Sequence, residues 1–138
     1  MSKQTRTIIS FVFTIIVLIA VGVIILTPLK GPNITVNTET SQLEIGGLLY
    51  SKTIDINIGV QIEMVSPKEI LLRTNGSSIG NVRSGYFTIE ENQAVYLNLG
   101  DYKLNWIEII DRDKYYYINL KTETETTEIY NDLLELNP

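Results

Sequence analysis

The hydrophobic positions of this chain change period twice. From Thr7 to Leu29 it reads TIISFVFTIIVLIAVGVIILTPL, with no charged residue. A helix rises 1.5 Å per residue, so this stretch is about 34 Å long and covers a hydrocarbon core of about 30 Å. The backbone can satisfy its own hydrogen bonds in lipid as a helix, so the many Ile and Val residues are no obstacle. A short tail, residues 1–6, precedes this transmembrane segment. Lys30, Gly31 and Pro32 follow it as a linker that cannot continue the helix. A cleavable signal peptide has a shorter apolar run and a small-residue exit, and Leu26-Thr27-Pro28-Leu29 offers no such exit.

Beyond the linker the period falls to two. Ile34-Thr35-Val36-Asn37-Thr38 and Leu43-Glu44-Ile45 alternate, and so does the longer run from Ile54 through Ile56, Ile58, Val60 and Ile62 to Met64. This pattern predicts half-buried antiparallel strands, with Gly59 as a point where the sheet bends. Arg73 to Asn81 predicts the longest loop. Four more strands are expected at 85–89, 94–99, 106–110 and 115–120, joined by short polar hairpin connectors at 90–93, 100–103 and 111–114.

The final segment returns to a helical period. Thr122-Glu123-Thr124-Glu125 fits a capping box, and Ile129, Tyr130, Leu133, Leu134 and Leu136 recur at helical spacing. Residues 33–136 therefore predict a mainly β domain: a meandering antiparallel barrel or sandwich of about seven strands, covered by a C-terminal helix.

Charge divides the chain at the same boundary. Residues 1–30 hold Lys3, Arg6 and Lys30 and no acid, whereas residues 31–138 hold all 16 acids and eight of the 11 cations, a net of −8. Such a domain repels nucleic acid and anionic headgroups, so neither nucleic-acid binding nor phosphoinositide binding is expected. Lys3 and Arg6 against Lys30 favour a cytoplasmic N-terminus and an external domain in a single-pass protein of the cell membrane.

Catalytic chemistry is sparse. The chain has no His and no Cys, which removes the usual general base, the thiol nucleophile and most zinc sites. Glu90-Glu91 and Asp111/Asp113 read as solvated turn acids. No catalytic residue, metal site or cofactor is expected. Asn33-Ile34-Thr35 and Asn75-Gly76-Ser77 match a glycosylation sequon but read more simply as turns.

Two groups of residues are candidates for recognition. Arg73, Asn75 and Gly76 form one, either as a tight turn or as a recognition loop. Trp106, Tyr115 and Tyr117 form the other, either as cross-strand packing or as an aromatic surface for a partner.

The run Arg73-Thr74-Asn75-Gly76-Ser77-Ser78-Ile79-Gly80, followed by Gly85-Tyr86-Phe87 and Ala94-Val95-Tyr96-Leu97, resembles the bacterial pleckstrin-homology-like (PH-like) domain family. The resemblance implies a seven-stranded barrel closed by the terminal helix and attached to a membrane segment. The loop that binds phosphoinositides in eukaryotic relatives corresponds to Asn37–Gln42 here, and it is acidic. The expected function is a non-enzymatic binding or scaffolding domain held at the membrane surface for a protein partner. The alternative is a small-ligand or enzymatic pocket in the barrel mouth.

Overall fold

The computed structural model describes residues 2–26, 31–46 and 50–137. The last expected transmembrane residue, Leu29, and Lys30 of the linker lie outside them. Helix α1 spans Lys3–Leu26, and none of its residues is buried by the rest of the protein. It is long and apolar enough to cross a membrane, a property that signal sequences share.

The domain is mainly β, with nine described strands in two sheets and a C-terminal helix. The first sheet has the order β1 (Asn33–Asn37), β2 (Gln42–Gly46), β3 (Lys52–Asp55), all antiparallel. The second comprises β4 (Val60–Val65), β5 (Ile70–Ile79), β6 (Val82–Ile89), β7 (Gln93–Leu99), β8 (Trp106–Asp111) and β9 (Lys114–Asn119), in the order β4-β8-β9-β7-β6-β5. Helix α2 spans Glu123–Leu136.

Three features differ from the expected seven-strand meander. The alternating run from Ile54 to Met64 is broken at Asn57, whose side-chain oxygen accepts the Gly59 amide at 2.9 Å while its carbonyl accepts Val60 N–H. This Asx turn passes the chain from the first sheet to the second and leaves Ile58 92% exposed. The expected loop Arg73–Asn81 is instead strand up to Ile79, paired with β6. The connector after β7 is no hairpin either: it steps over the end of β9, so that β7 and β9 pair in parallel, Tyr96 with Tyr116 through Leu99 with Asn119.

Asn119 holds that crossover in place. Its side-chain oxygen accepts the Gly100 and Asp101 amides at 2.8 and 3.2 Å, and its nitrogen donates to the Asp101 and Asn105 carbonyls. All four partners belong to the connector, so one buried amide satisfies backbone that lies across a strand end with no ladder of its own.

The second sheet curls without closing into a barrel. Its edge strands β4 and β5 are joined by only four residues, Ser66–Glu69. Six flat strands are about 24 Å wide, and five chain steps reach at most about 17 Å, so the sheet must bend toward itself. The link passes over the concave face: Lys68 Nζ lies 6.0 Å from the Tyr117 ring centre and 3.5 Å from Glu90. Inside the curl are Phe87, Ile89, Val95, Leu97, Leu99, Trp106 and Tyr117. On the convex side, Tyr96, Ile107, Ile109 and Ile118 pack under Leu43, Ile45 and Ile54 of the first sheet, Ile56 just after it and Leu133 of α2. Burial on both faces explains why β7 and β9 read as near-continuous apolar runs.

Helix α2 begins as expected. Thr122 Oγ1 accepts the Glu125 amide at 3.2 Å and donates to the Glu125 carboxylate at 2.8 Å. Leu133 is fully buried, with Ile129, Tyr130 and Leu136 packed beside it. Leu134, expected on the same face, is exposed.

Candidate functional site

The first sheet and α2 cover only part of the convex face. Where they stop, strand register places three tyrosines in one row. Tyr86 on β6 is opposite Tyr96 on β7, and Tyr96 is opposite Tyr116 on β9. Their rings meet edge to face, with centres 5.7 and 5.9 Å apart.

Lys52 of β3 overhangs this row, its ammonium 5.2 Å from the Tyr86 ring centre and 5.9 Å from that of Tyr96. Thr74, Asn75, Ala94, Asp113, Lys114 and Tyr115 complete the rim of a groove of about 660 Å³. That size lies within the range of small-molecule and side-chain pockets.

The groove is rigidly supported. Tyr96 donates its hydroxyl to the Tyr50 carbonyl at 2.9 Å, and Tyr50 donates to Asn75 Oδ1 at 3.1 Å. Asn98 Nδ2 reaches the Tyr96 oxygen from beneath at 3.4 Å. Burial pushes the Tyr96 hydroxyl up to about 12, an effect that the hydrogen bond from Asn98 partly offsets. Burial also raises Tyr116, opposed by the charge of Lys52 and reinforced by Asp111 and Asp113. Both phenols therefore remain neutral at physiological pH. The arrangement offers aromatic surface, hydroxyls and an ammonium, a set suited to binding.

Of the residues singled out from the sequence, Asn75 and Tyr115 line this groove. Arg73 does not. It borders a separate depression of about 460 Å³ with Lys68, Ile70, Arg83 and Tyr102. Gly76 is a packing residue within the β5–β6 hairpin. Trp106 and Tyr117 present no surface at all, because both lie fully buried inside the curl with ring centres 5.6 Å apart. Trp106 Nε1 donates to the Tyr102 carbonyl, and Tyr117 donates to Glu108 at 2.5 Å. Burial, together with that carboxylate, raises Tyr117 strongly.

The sequence reading missed Tyr86, Tyr96, Tyr116 and Lys52. Alternation around Phe87 and Tyr117 already set Tyr86 and Tyr116 on the opposite face from those core residues. Only register could align them. Among the described residues no three acidic side chains converge to hold a metal ion.

The groove also has a definite place along the strands. β7 and β9 run in parallel away from it, toward Gly100 and Lys121. Gly31, the first described residue after α1, packs at that far end: a Cβ added to it would lie 3.2 Å from Lys121 and 3.8 Å from Gly100. Three strand steps, Tyr116 to Asn119, cover about 10 Å, and Lys121 follows two residues later. The Asp113–Lys114 rim of the groove thus lies at the opposite end of β9 from the Gly31 contact.

No protein-family model matches this chain, and neither does any curated protein or solved structure.

Proposed function

We propose that this chain is a single-pass membrane protein whose external, non-enzymatic domain binds an extended segment of a partner protein in the tyrosine groove. The observation that carries this reading is the row Tyr86-Tyr96-Tyr116 beneath Lys52. Rigid tyrosines give large contact area at low entropic cost, and aromatic grooves accept extended peptide backbones. Groups anchored by the Tyr50–Asn75 and Tyr96–Asn98 hydrogen bonds are preorganised, which lowers the cost of binding.

The length of the apolar helix and the absence of a cleavage-like exit support its role as a retained span. Lys3 and Arg6 support a cytoplasmic N-terminus. Kinship with bacterial PH-like domains belongs to the same proposal. A β-rich body ending in a packed helix favours it, and the parallel β7–β9 pair stands against it.

The test is site-specific photocrosslinking in native membranes from position Asp113, on the groove rim. A discrete crosslinked partner that disappears in the variants Tyr86→Ala and Lys52→Ala is the expected result. Tyr86 is 40% exposed, and circular dichroism of the Tyr86→Ala variant checks that its truncation leaves the fold intact. Crosslinking that is unchanged in both variants would refute the groove as the binding site.

A further inference from the structure

We propose that the end of the domain nearest α1 rests on the bilayer and contacts anionic phospholipid headgroups through Arg83, Tyr102 and Lys103. The inference depends on the reading of α1 as a retained transmembrane helix.

Chain length brings this end to the membrane. Only residues 27–30 separate Leu26 from Gly31, so five chain steps, at most about 17 Å, link the last described turn of α1 to the domain. Gly31 abuts Lys121 and Gly100. Around Gly100 and Lys121 lie the connector Asp101–Lys103 and the turn of the β5–β6 hairpin, since Ile79, Gly80, Asn81, Val82, Gly100, Asp101 and Lys121 line one shallow depression. The Tyr102 amide donates to the Asn81 carbonyl at 3.0 Å, which locks connector and hairpin turn together.

The chemistry of this end suits an interface. Two cations lie beside the Tyr102 ring, with Arg83 Cζ 4.3 Å and Lys103 Nζ 5.9 Å from its centre. Arg83 is held by donating to the Gly80 and Val82 carbonyls, at 2.7 and 2.8 Å. A tyrosine flanked by basic side chains is the composition that favours the headgroup layer. Of the nearby acids, Asp101 turns back on its own loop, accepting from the Lys103 amide, and Glu69 shares a depression with Arg83 and Tyr102 but also with the cations Lys68 and Arg73. Glu123, at the start of α2, lines a separate small cavity with Asn105 and Met64. The domain as a whole is acidic, so its field opposes free binding to anionic lipid. The helix removes that obstacle by keeping the patch at high effective concentration beside the surface.

The chain has no cysteine, which permits a single nitroxide label. The full chain carrying Asn81→Cys is reconstituted in phosphatidylcholine vesicles with and without phosphatidylglycerol, and Asp113→Cys serves as the distal control. The label at 81 is expected to gain protection from a neutral aqueous relaxation agent only in the anionic vesicles, and the label at 113 in neither. Lys103→Gln, an exposed substitution, should lower the docked-to-undocked ratio about fivefold, and raised salt should lower it further. Equal accessibility at 81 in both vesicle types, with the chain still integrated, would overturn the proposal alone. Release of the chain by carbonate, or a mature N-terminus beyond residue 26, would overturn the reading beneath it as well.

Discussion

Gly76 stands directly opposite Gly85 in the β5–β6 ladder. A Cβ on Gly85 would lie 2.5 Å from the Asn75 carbonyl oxygen and 2.6 Å from Gly76 Cα; one on Gly76 would run into the Ser84 carbonyl oxygen. Gly85 also has φ +117°, a region that L side chains rarely adopt. The strands approach here more closely than side chains permit, so Asn75-Gly76 serves strand pairing and not the tight turn that its dipeptide suggests.

Gly85→Ala is therefore expected to cost about 3 kcal/mol or more, combining backbone strain with a clash against main chain. Gly80→Ala supplies the comparison. Its φ of +55° is also positive, but open space surrounds it, so about 1–2 kcal/mol is expected. Denaturant unfolding of the full chain in detergent measures both, with buried Trp106, the only tryptophan, as the reporter.

Asn119→Ala removes four hydrogen bonds to the β7–β8 connector and leaves buried backbone groups unsatisfied. A loss of about 2–4 kcal/mol is expected from the cost of such orphaned groups. Asn119→Asp should not rescue it, because the carboxylate keeps the acceptor, loses both donations and buries a charge. Equal stability of Asn119→Asp and wild type would show that the crossover does not depend on the amide nitrogen.

Helix α2 belongs to the core through Leu133. Leu133→Ala is expected to destabilise by about 2–5 kcal/mol, and Leu134→Ala, one residue away and exposed, by less than about 0.5. Truncation before Thr126 should remove the same contribution entirely. Thermal unfolding unchanged by the truncation would detach the helix from the core.

The buried phenols predict alkaline unfolding. Tyr96 and Tyr117 hold their protons more tightly when folded than when unfolded. Their contribution to stability is therefore constant below pH 10 and is lost as the pH rises from about 10 toward 12. Each such tyrosine costs about 1.4 kcal/mol per pH unit in that window. Tyrosinate absorbance followed together with circular dichroism should show the last phenols ionising only as the structure is lost. Ionisation of all eight tyrosines in one step with an intact spectrum would contradict this.

The proposed topology makes a further prediction. A single Cys at Asp113 in intact cells should react with a membrane-impermeant maleimide, while one at Ser2 should react only after lysis. The reverse pattern would place the domain in the cytoplasm.

Elements whose signal is local were legible in the chain. The apolar run of α1, the alternation of the strands and the Thr122 cap of α2 each depend on residues two to four positions apart, and periodicity records such relations directly. The same local pattern placed Tyr115 and Tyr117 on one face of their strand and Tyr116 on the other. Which face is buried was not local. The curl of the six-stranded sheet, imposed by the four-residue link between its two edges, encloses Trp106 and Tyr117 and leaves Tyr116 on the convex side. The crossover held by Asn119 and the Gly76–Gly85 approach likewise depend on which strands pair. The Tyr86-Tyr96-Tyr116 row joins residues that are up to 30 positions apart, through two ladders, one of them parallel. Sequence period determines the face a side chain occupies, whereas its neighbours across the sheet depend on register and strand order, which arise only when the whole sheet forms.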